Sequence, residues 1–355
     1  MRKNIGMLPL AIGSLPHADT ESAITLIRET MPQTPHWPQL PHRNAQDTMV
    51  KQYAFPLINS GLVTDIEGKL FFDPLEDHWQ NAVANFYQRV NAIKAGNPDA
   101  LDFFAIPEDA AQGFYDFIRK GQRGELGEPL YTKGQITGPI TLATQITDSA
   151  HQSAYYSAEL RDIIVKSLAL QAYWQTKTLS PFGRQVILFI DEPGLYAFSG
   201  KRANSVHKQQ ITAELNVLID AIHQADGLAG IHVCASTDWS MIFASQTDIV
   251  NFDGYDYFAA ITCYPEQVAA FLERGGTLAW GLIPTNEIAL ALTSEEVLAC
   301  FYRGVDELAG KGVPKERLLQ QALITPTCGL GNCSVIVAER VYRLTGEAAS
   351  KIWKK

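Results

Sequence analysis

His232 and Cys234 sit together in His232-Val233-Cys234, and Cys328 follows far downstream in Thr325-Pro326-Thr327-Cys328-Gly329. In an extended segment the i, i+2 spacing puts the imidazole and the first thiol on one face, as two ligands of one metal ion require. One imidazole and two thiols are a donor set that suits zinc. Three protein ligands leave a fourth position open, the pattern of catalytic rather than structural zinc. With two thiolates and a neutral imidazole the centre is formally neutral, hence a weaker Lewis acid than one held by three imidazoles. Such a centre suits a third thiolate that stays electron-rich, which favours alkyl transfer to a thiol over hydrolysis by activated water. Two plainer readings compete. One is a buried Cys beside a core His; the other is a structural zinc closed by Cys333 through Cys328-x-x-x-x-Cys333. Cys263 and Cys300 read as ordinary buried thiols.

A frame must bring these residues together. The chain has 355 residues, 46% hydrophobic and 19% charged, enough for a large single core. Its 38 acidic and 29 basic residues give a net charge of -9. With no block of Lys or Arg, this argues against nucleic acid or an anionic membrane surface as a partner. No apolar stretch is long enough to span a bilayer. Met1-Arg2-Lys3-Asn4-Ile5 leads straight into a strand-like run instead of a secretory signal. The expectation is a cytoplasmic protein with reduced cysteines, where Cys with His means metal or catalysis more often than a disulfide.

Short apolar runs alternate with helical patterns. Strands are expected at Leu8–Ser14, near Trp37–Pro41, and at Leu130–Thr137, Val186–Asp191, Gly230–Cys234, Asp248–Asp253, Leu278–Ile283 and Leu319–Thr325. Helices are expected at Thr20–Thr30, His78–Ala95, Tyr155–Leu179, Lys208–Ala225, Pro265–Arg274, Ser294–Ala309 and Ser334–Leu344. About eight such units predict an α/β fold of the (β/α)8 TIM-barrel kind. No Gly-x-Gly-x-x-Gly follows the first strand, which argues against an open doubly wound sheet. One domain, residues 1–355, is expected, with an insertion around 44–122 holding extra strands at Lys69–Asp73 and Asp102–Ile106. Ser14, Thr137-Gly138-Pro139, Asp191-Glu192-Pro193, Cys234, Asp253, Pro284 and Cys328 each close a strand-like run. In a barrel those ends share the rim that carries active sites.

Five motifs then carry a resemblance: Ile12-Gly13-Ser14-Leu15-Pro16, Thr137-Gly138-Pro139-Ile140-Thr141, Ile190-Asp191-Glu192-Pro193, His232-x-Cys234 and Cys328-Gly329-Leu330. In this order they resemble the C-terminal catalytic barrel of cobalamin-independent methionine synthase. That barrel belongs to the uroporphyrinogen decarboxylase-like superfamily, which includes zinc methyltransferases acting on coenzyme M. The resemblance covers nearly the whole chain and implies a short, barrel-only member. It implies that His232, Cys234 and Cys328 are zinc ligands, and it puts Asp253 where the family has a fourth ligand, a Glu. It implies that Ser14 contacts the amino-acid substrate and that Asp191 holds its ammonium group.

The departures fall on the methyl-donor side. The family's second ammonium-binding Glu matches Leu40-Pro41-His42-Arg43, which has no acid. Its folate-stacking Trp matches Gln145, and its proton-shuttling His matches Asn286. Without an aromatic face there is no stacking platform for a pterin ring, so a methyl-corrinoid, free or protein-bound, is expected as donor in place of methylfolate.

The chain thus reads as a zinc-dependent methyltransferase acting on a small thiol, foremost homocysteine to give methionine. Coenzyme M or another small thiol is the runner-up acceptor. Two other classes compete. One is a metal-free lyase of the decarboxylase branch, which needs an Arg-rich N-terminal segment where this chain offers only Arg2, Arg28 and Arg43. The other is a non-catalytic binder of corrinoid or thiol. Each site residue also has a plain role to weigh. Asp191-Glu192-Pro193 suits a helix start, Asp253 with Gly254 suits a turn and has Asp256 as a nearby competitor for the ligand role, and Ser14 suits a tight strand exit. His17 faces the mouth or solvent. His42 and Arg43 are either an anion site or plain surface. Tyr155-Tyr156 and Tyr255-x-Tyr257-Phe258 are expected to pack helices on the barrel.

Overall fold

The protein is described from a computed structural model, which covers residues 5–198 and 205–353. Nine strands are numbered in chain order: β1 (Val63–Ile66), β2 (Lys69–Phe72), β3 (Tyr131–Thr137), β4 (Thr147–Asp148), β5 (Gln185–Asp191), β6 (Leu228–Val233), β7 (Ile249–Asp253), β8 (Thr277–Ile283) and β9 (Ala322–Pro326). Runs such as Val186-Ile187-Leu188-Phe189-Ile190 are apolar without alternation, the pattern of strands covered on both faces. They assemble into a parallel six-stranded sheet of order β3-β5-β6-β7-β8-β9. Helices between the strands pack against it, among them Ala158–Leu179 and Ser294–Gly310, as does Val335–Trp353 after the last strand. The fold is thus mixed α/β.

The sheet is curled. A small apolar cluster takes one or two residues from each of its six strands: Tyr131, Ile187, Phe189, Leu228, Ile249, Ala279 and Leu323, together with Ile5, Leu10 and Ile12. A far larger cluster fills the space between the sheet and the helices. Register then aligns the polar residues. Thr137 lies opposite Asp191, Asp191 opposite His232, and His232 opposite Asn251. Thr137, Asp191, His232 and Asn251 therefore lie in one row across four adjacent strands.

The expected strands at Leu8–Ser14 and Trp37–Pro41 are extended but make only isolated bridges. Pro9 pairs with Ile324 of β9, Ser14 with Gln39, and His36 with Lys133 of β3. Backbone hydrogen bonds extend these contacts, from Leu10 N to Ile324 O, Leu15 N to Gln39 O and Lys133 N to Pro35 O. Pro9, Pro35, Pro38 and Pro41 supply no N–H, so a continuous ladder is not available to these segments.

Other boundaries moved for local reasons. Leu319 belongs to a helix, Lys315–Gln320, which starts after Pro314, and β9 opens only at Ala322. The helix expected from Tyr155 starts at Ala158, where the Ser157 side chain accepts from Leu160 N. The last helix runs on from Val335 to Trp353. In the stretch 44–122, β2 appears as expected and pairs with β1, which was not foreseen, and with β4. Asp102–Ile106 is not a strand. Pro98–Phe104 forms a 3-10 turn started by Asn97, whose side chain accepts from Asp99 N. Among the described residues no helix is long and apolar enough to cross a membrane.

Candidate metal centre

His232 is inward near the end of β6, Cys234 is the first residue beyond that strand's last position, and Cys328 lies just past β9. One ligand atom from each falls within 4.8 Å of the others. Zinc with tetrahedral bonds of about 2.0–2.3 Å holds its nitrogen and sulfur ligands roughly 3.5–3.8 Å apart, so this donor set fits zinc in type and spacing. His232 is buried, and both thiols are half-buried. Its Nδ1 bonds to Asn251 Oδ1. An amide oxygen only accepts, so Nδ1 carries a proton and Nε2 is the nitrogen left for the cluster.

The electrostatics suit a metal that displaces protons. A hydrogen bond from Cys328 and the adjacent His232 hold Cys234 far below the ordinary thiol range. The same Cys234 and burial push Cys328 far above it. Burial works to lower the His232 pKa, but Cys234, Asp191 and Asn251 together raise it. Cys234, Cys328 and His232 thus shift one another's hold on protons in opposite directions. A cation would take over the role of those protons.

Asn251 was missed in the sequence. Its signal was there: a single amide inside the buried run Ile249-Val250-Asn251-Phe252, where a polar group needs partners. Its Nδ2 donates to Ala279 O at 2.9 Å and to Thr325 Oγ1 at 2.8 Å.

Ser14 has a structural job in the turn after Cys328. Its Oγ accepts from Gly331 N at 3.1 Å, and its carbonyl accepts from Leu330 N at 3.0 Å. It thereby clips the turn that follows Cys328. A β-carbon at Gly329 would overlap the Ser14 hydroxyl, so glycine there is a packing requirement.

Asp191 ends β5 beside His232. Its Oδ1 is buried and has no hydrogen-bond partner among the described residues. Burial raises its pKa to about 6, against the pull of His232 and Lys133. Lys133 is fully buried on the neighbouring strand, bonded to Ile12 O and to Gln135 Oε1 at 3.2 Å, and burial lowers its pKa to about 7. Glu192 is structural. Its carboxylate accepts from Ile140 N at 2.9 Å, Thr141 N at 2.8 Å and Thr141 Oγ1 at 2.6 Å. It caps the helix Pro139–Gln145, not the turn that follows it in sequence. Gly138 leaves the room this requires, since a β-carbon there would overlap the Glu192 carboxylate. The Thr-Gly-Pro and Asp-Glu-Pro motifs are thus two halves of one clamp.

Asp253 lies outside the group of three ligand atoms. Its Oδ1 accepts from Tyr255 N at 2.9 Å and Asp256 N at 2.8 Å, closing the turn after β7. Cys333 instead donates to Thr285 O at 3.0 Å and is not part of the cluster. Cys263 is exposed, not buried, and Cys300 is half-buried. His17 is buried with an unpartnered Nδ1, whereas His42, Arg43, Gln145 and Asn286 are exposed. Tyr155 packs on Phe198, but Tyr156 is 72% exposed and covers no helix. Tyr257 is exposed too, whereas Phe258 stacks on Trp280.

No family model matches the chain, and no curated protein is similar to it. Similar solved structures include a B12-independent methionine synthase from Shewanella sp. W3-18-1 in complex with selenomethionine. It is 15% identical over 67% of each chain, with a TM-score of 0.47. A protein from Listeria monocytogenes, described as a vitamin-B12-independent methionine synthase, is 15% identical over 78% of this chain and 89% of its own, with the same TM-score of 0.47. A β-glycosidase from Thermosphaera aggregans is 13% identical over 94% of this chain and 84% of its own, with a TM-score of 0.33. The first two carry the family name that the motifs resemble.

Proposed function

We propose that the protein is a zinc-dependent methyltransferase that methylates a small thiol, with homocysteine the leading acceptor. The observation that carries this reading is the convergence of His232, Cys234 and Cys328 within 4.8 Å, next to a carboxylate with an unpartnered oxygen. Zinc, when bound, would supply the charge that keeps the substrate sulfur ionised and nucleophilic near neutral pH. His232, Cys234 and Cys328 would hold it and leave one position open. Asp191 Oδ1 would accept from the substrate ammonium group, which fits an amino-acid thiol better than coenzyme M. Asp253 is proposed as a fourth ligand only in a state without substrate, since its Oδ1 already closes a turn. In the transfer the sulfur–carbon bond forms in line as the methyl–donor bond breaks, and the electron pair of that bond leaves with the donor.

We propose a methyl-corrinoid, free or protein-bound, as the donor. Gln145 is exposed and offers no aromatic face where the resembled family stacks folate. We further read the six-stranded sheet and the two proline-rich segments as the eight staves of one (β/α)8 barrel. On that reading 1–355 is a single domain, 44–122 is an insertion, and the protein works in the cytoplasm. The bridges from Pro9 to Ile324 and from His36 to Lys133 support closure.

Zinc-loaded protein is tested with homocysteine and with coenzyme M, each against methylcobalamin and methyltetrahydrofolate. Methionine formed from methylcobalamin and lost on chelation is the expected result. No product from any pair would leave the protein a binder. Decarboxylation of a porphyrinogen by metal-free protein would overturn the reading.

A further inference from the structure

Asn251 makes contacts that its own strand does not need. It sits at the middle of β7, and its side chain reaches both neighbouring strands and the strand beyond. Oδ1 meets His232 Nδ1 on β6. Nδ2 donates to the backbone of Ala279 on β8 and to the Thr325 hydroxyl on β9. The ligands come from β6 and β9, which β7 and β8 keep apart in the sheet. A single amide therefore joins the His ligand to the strand that leads into Cys328.

We infer that Asn251 is the positioning residue of this centre: it fixes which nitrogen of His232 faces the thiols and ties that ring to the strand carrying Cys328. The inference rests on the zinc reading above and adds the group that aims the ligands. The chemistry is directional. Nδ2 faces the Ala279 carbonyl, which only accepts, so a flipped amide would set oxygen against oxygen there. The oxygen must then face His232, the ring must donate through Nδ1, and Nε2 keeps its lone pair for the metal. Ala279, opposite Asn251 in register, has a side chain too short to obstruct the reach to Thr325.

The test compares zinc affinity, by chelator competition, in wild type, Asn251→Leu and Thr325→Val, with folding checked by circular dichroism. Leucine keeps the branched shape and removes all three bonds, and zinc should bind roughly 10–100-fold more weakly. Thr325→Val keeps the His232 contact and frees one anchor, so a smaller loss is expected, with the fold retained. It carries the test if the leucine variant does not fold. Nitrogen-15 spectra of the metal-free protein give a second readout that packing alone does not move. Wild type should hold His232 as the Nδ1–H form when neutral, and Asn251→Leu should show both tautomers. Folded variants that bind zinc as wild type does would overturn the inference and leave the zinc reading intact. A wild type that takes up no zinc would overturn that reading, and this role with it.

Discussion

The two walls of the site, one at each end of the six-stranded sheet, use their polar residues differently. On the wall from β6 to β9, polar side chains point at the ligands or steady them: His232, Cys234 and Cys328 converge, and Asn251 and Thr325 sit behind. On the wall made by β3, β5 and the segment around Ser14, most of the motif residues hold backbone. Ser14 clips the turn after Cys328, and Glu192 caps a helix. Asp191 is the exception, with an oxygen that nothing among the described residues satisfies. A motif residue at a strand end is therefore not a substrate contact by position alone. Its hydrogen-bond capacity must first be accounted for, and what is left over is what a ligand can use.

Breaking the first wall should have the largest effect. Cys328→Ser or Cys234→Ser is expected to abolish zinc retention and methyl transfer together, read by metal analysis and product formation. Activity persisting in a demonstrably zinc-free variant would sink the mechanism. Next comes the exception on the second wall. Asp191→Asn should raise the KM for homocysteine by roughly 10–100-fold, the value of one hydrogen bond to a charged group. An acceptor without an ammonium group should be unaffected. An equal loss for both acceptors would show that Asp191 serves the centre and not the substrate.

Ser14→Ala should be milder and of another kind. It removes one hydrogen bond from the turn after Cys328, at a cost of about 1 kcal/mol in stability, and KM should change little. A raised KM without a change in melting would restore Ser14 as a substrate contact. The smallest effect is expected at Asp47, which is not part of the cluster of three. It is buried, accepts from Leu40 N and Gln52 Nε2, and burial raises its pKa to about 6. A carboxyl raised in the folded state stabilises most below its unfolded pKa and loses that contribution as pH rises through the folded one. The stability advantage of wild type over Asp47→Asn should therefore shrink between about pH 4 and pH 6. Thermal melts at several pH values would show it, and an advantage that grew with pH would contradict it.

The first wall was the more legible in the sequence. His232 and Cys234 share a strand face whatever the rest of the chain does, and thiols with an imidazole have few uses together. Asn251 was legible in principle, because an amide inside an apolar strand needs partners. The second wall depends on contacts that no local pattern encodes. Ser14 is 317 residues from Gly331, and Glu192 caps a helix about fifty residues before it. A residue type that suits a substrate also suits such long-range work. The proline-rich segments were legible as extended chain, but not as segments that pair by single bridges. Asp102–Ile106 read as a strand because its apolar residues hide the end of the 3-10 turn Pro98–Phe104.

The central claim is that His232, Cys234 and Cys328 hold a zinc with one position open to a thiol. Zinc-edge X-ray absorption of protein purified without chelators, with metal content measured on the same sample, tests it most directly. About one zinc per chain is expected, with two sulfur ligands and at least one nitrogen, gaining a third sulfur when homocysteine is added. A protein that takes up no zinc, or a zinc shell that no thiol alters, would contradict it.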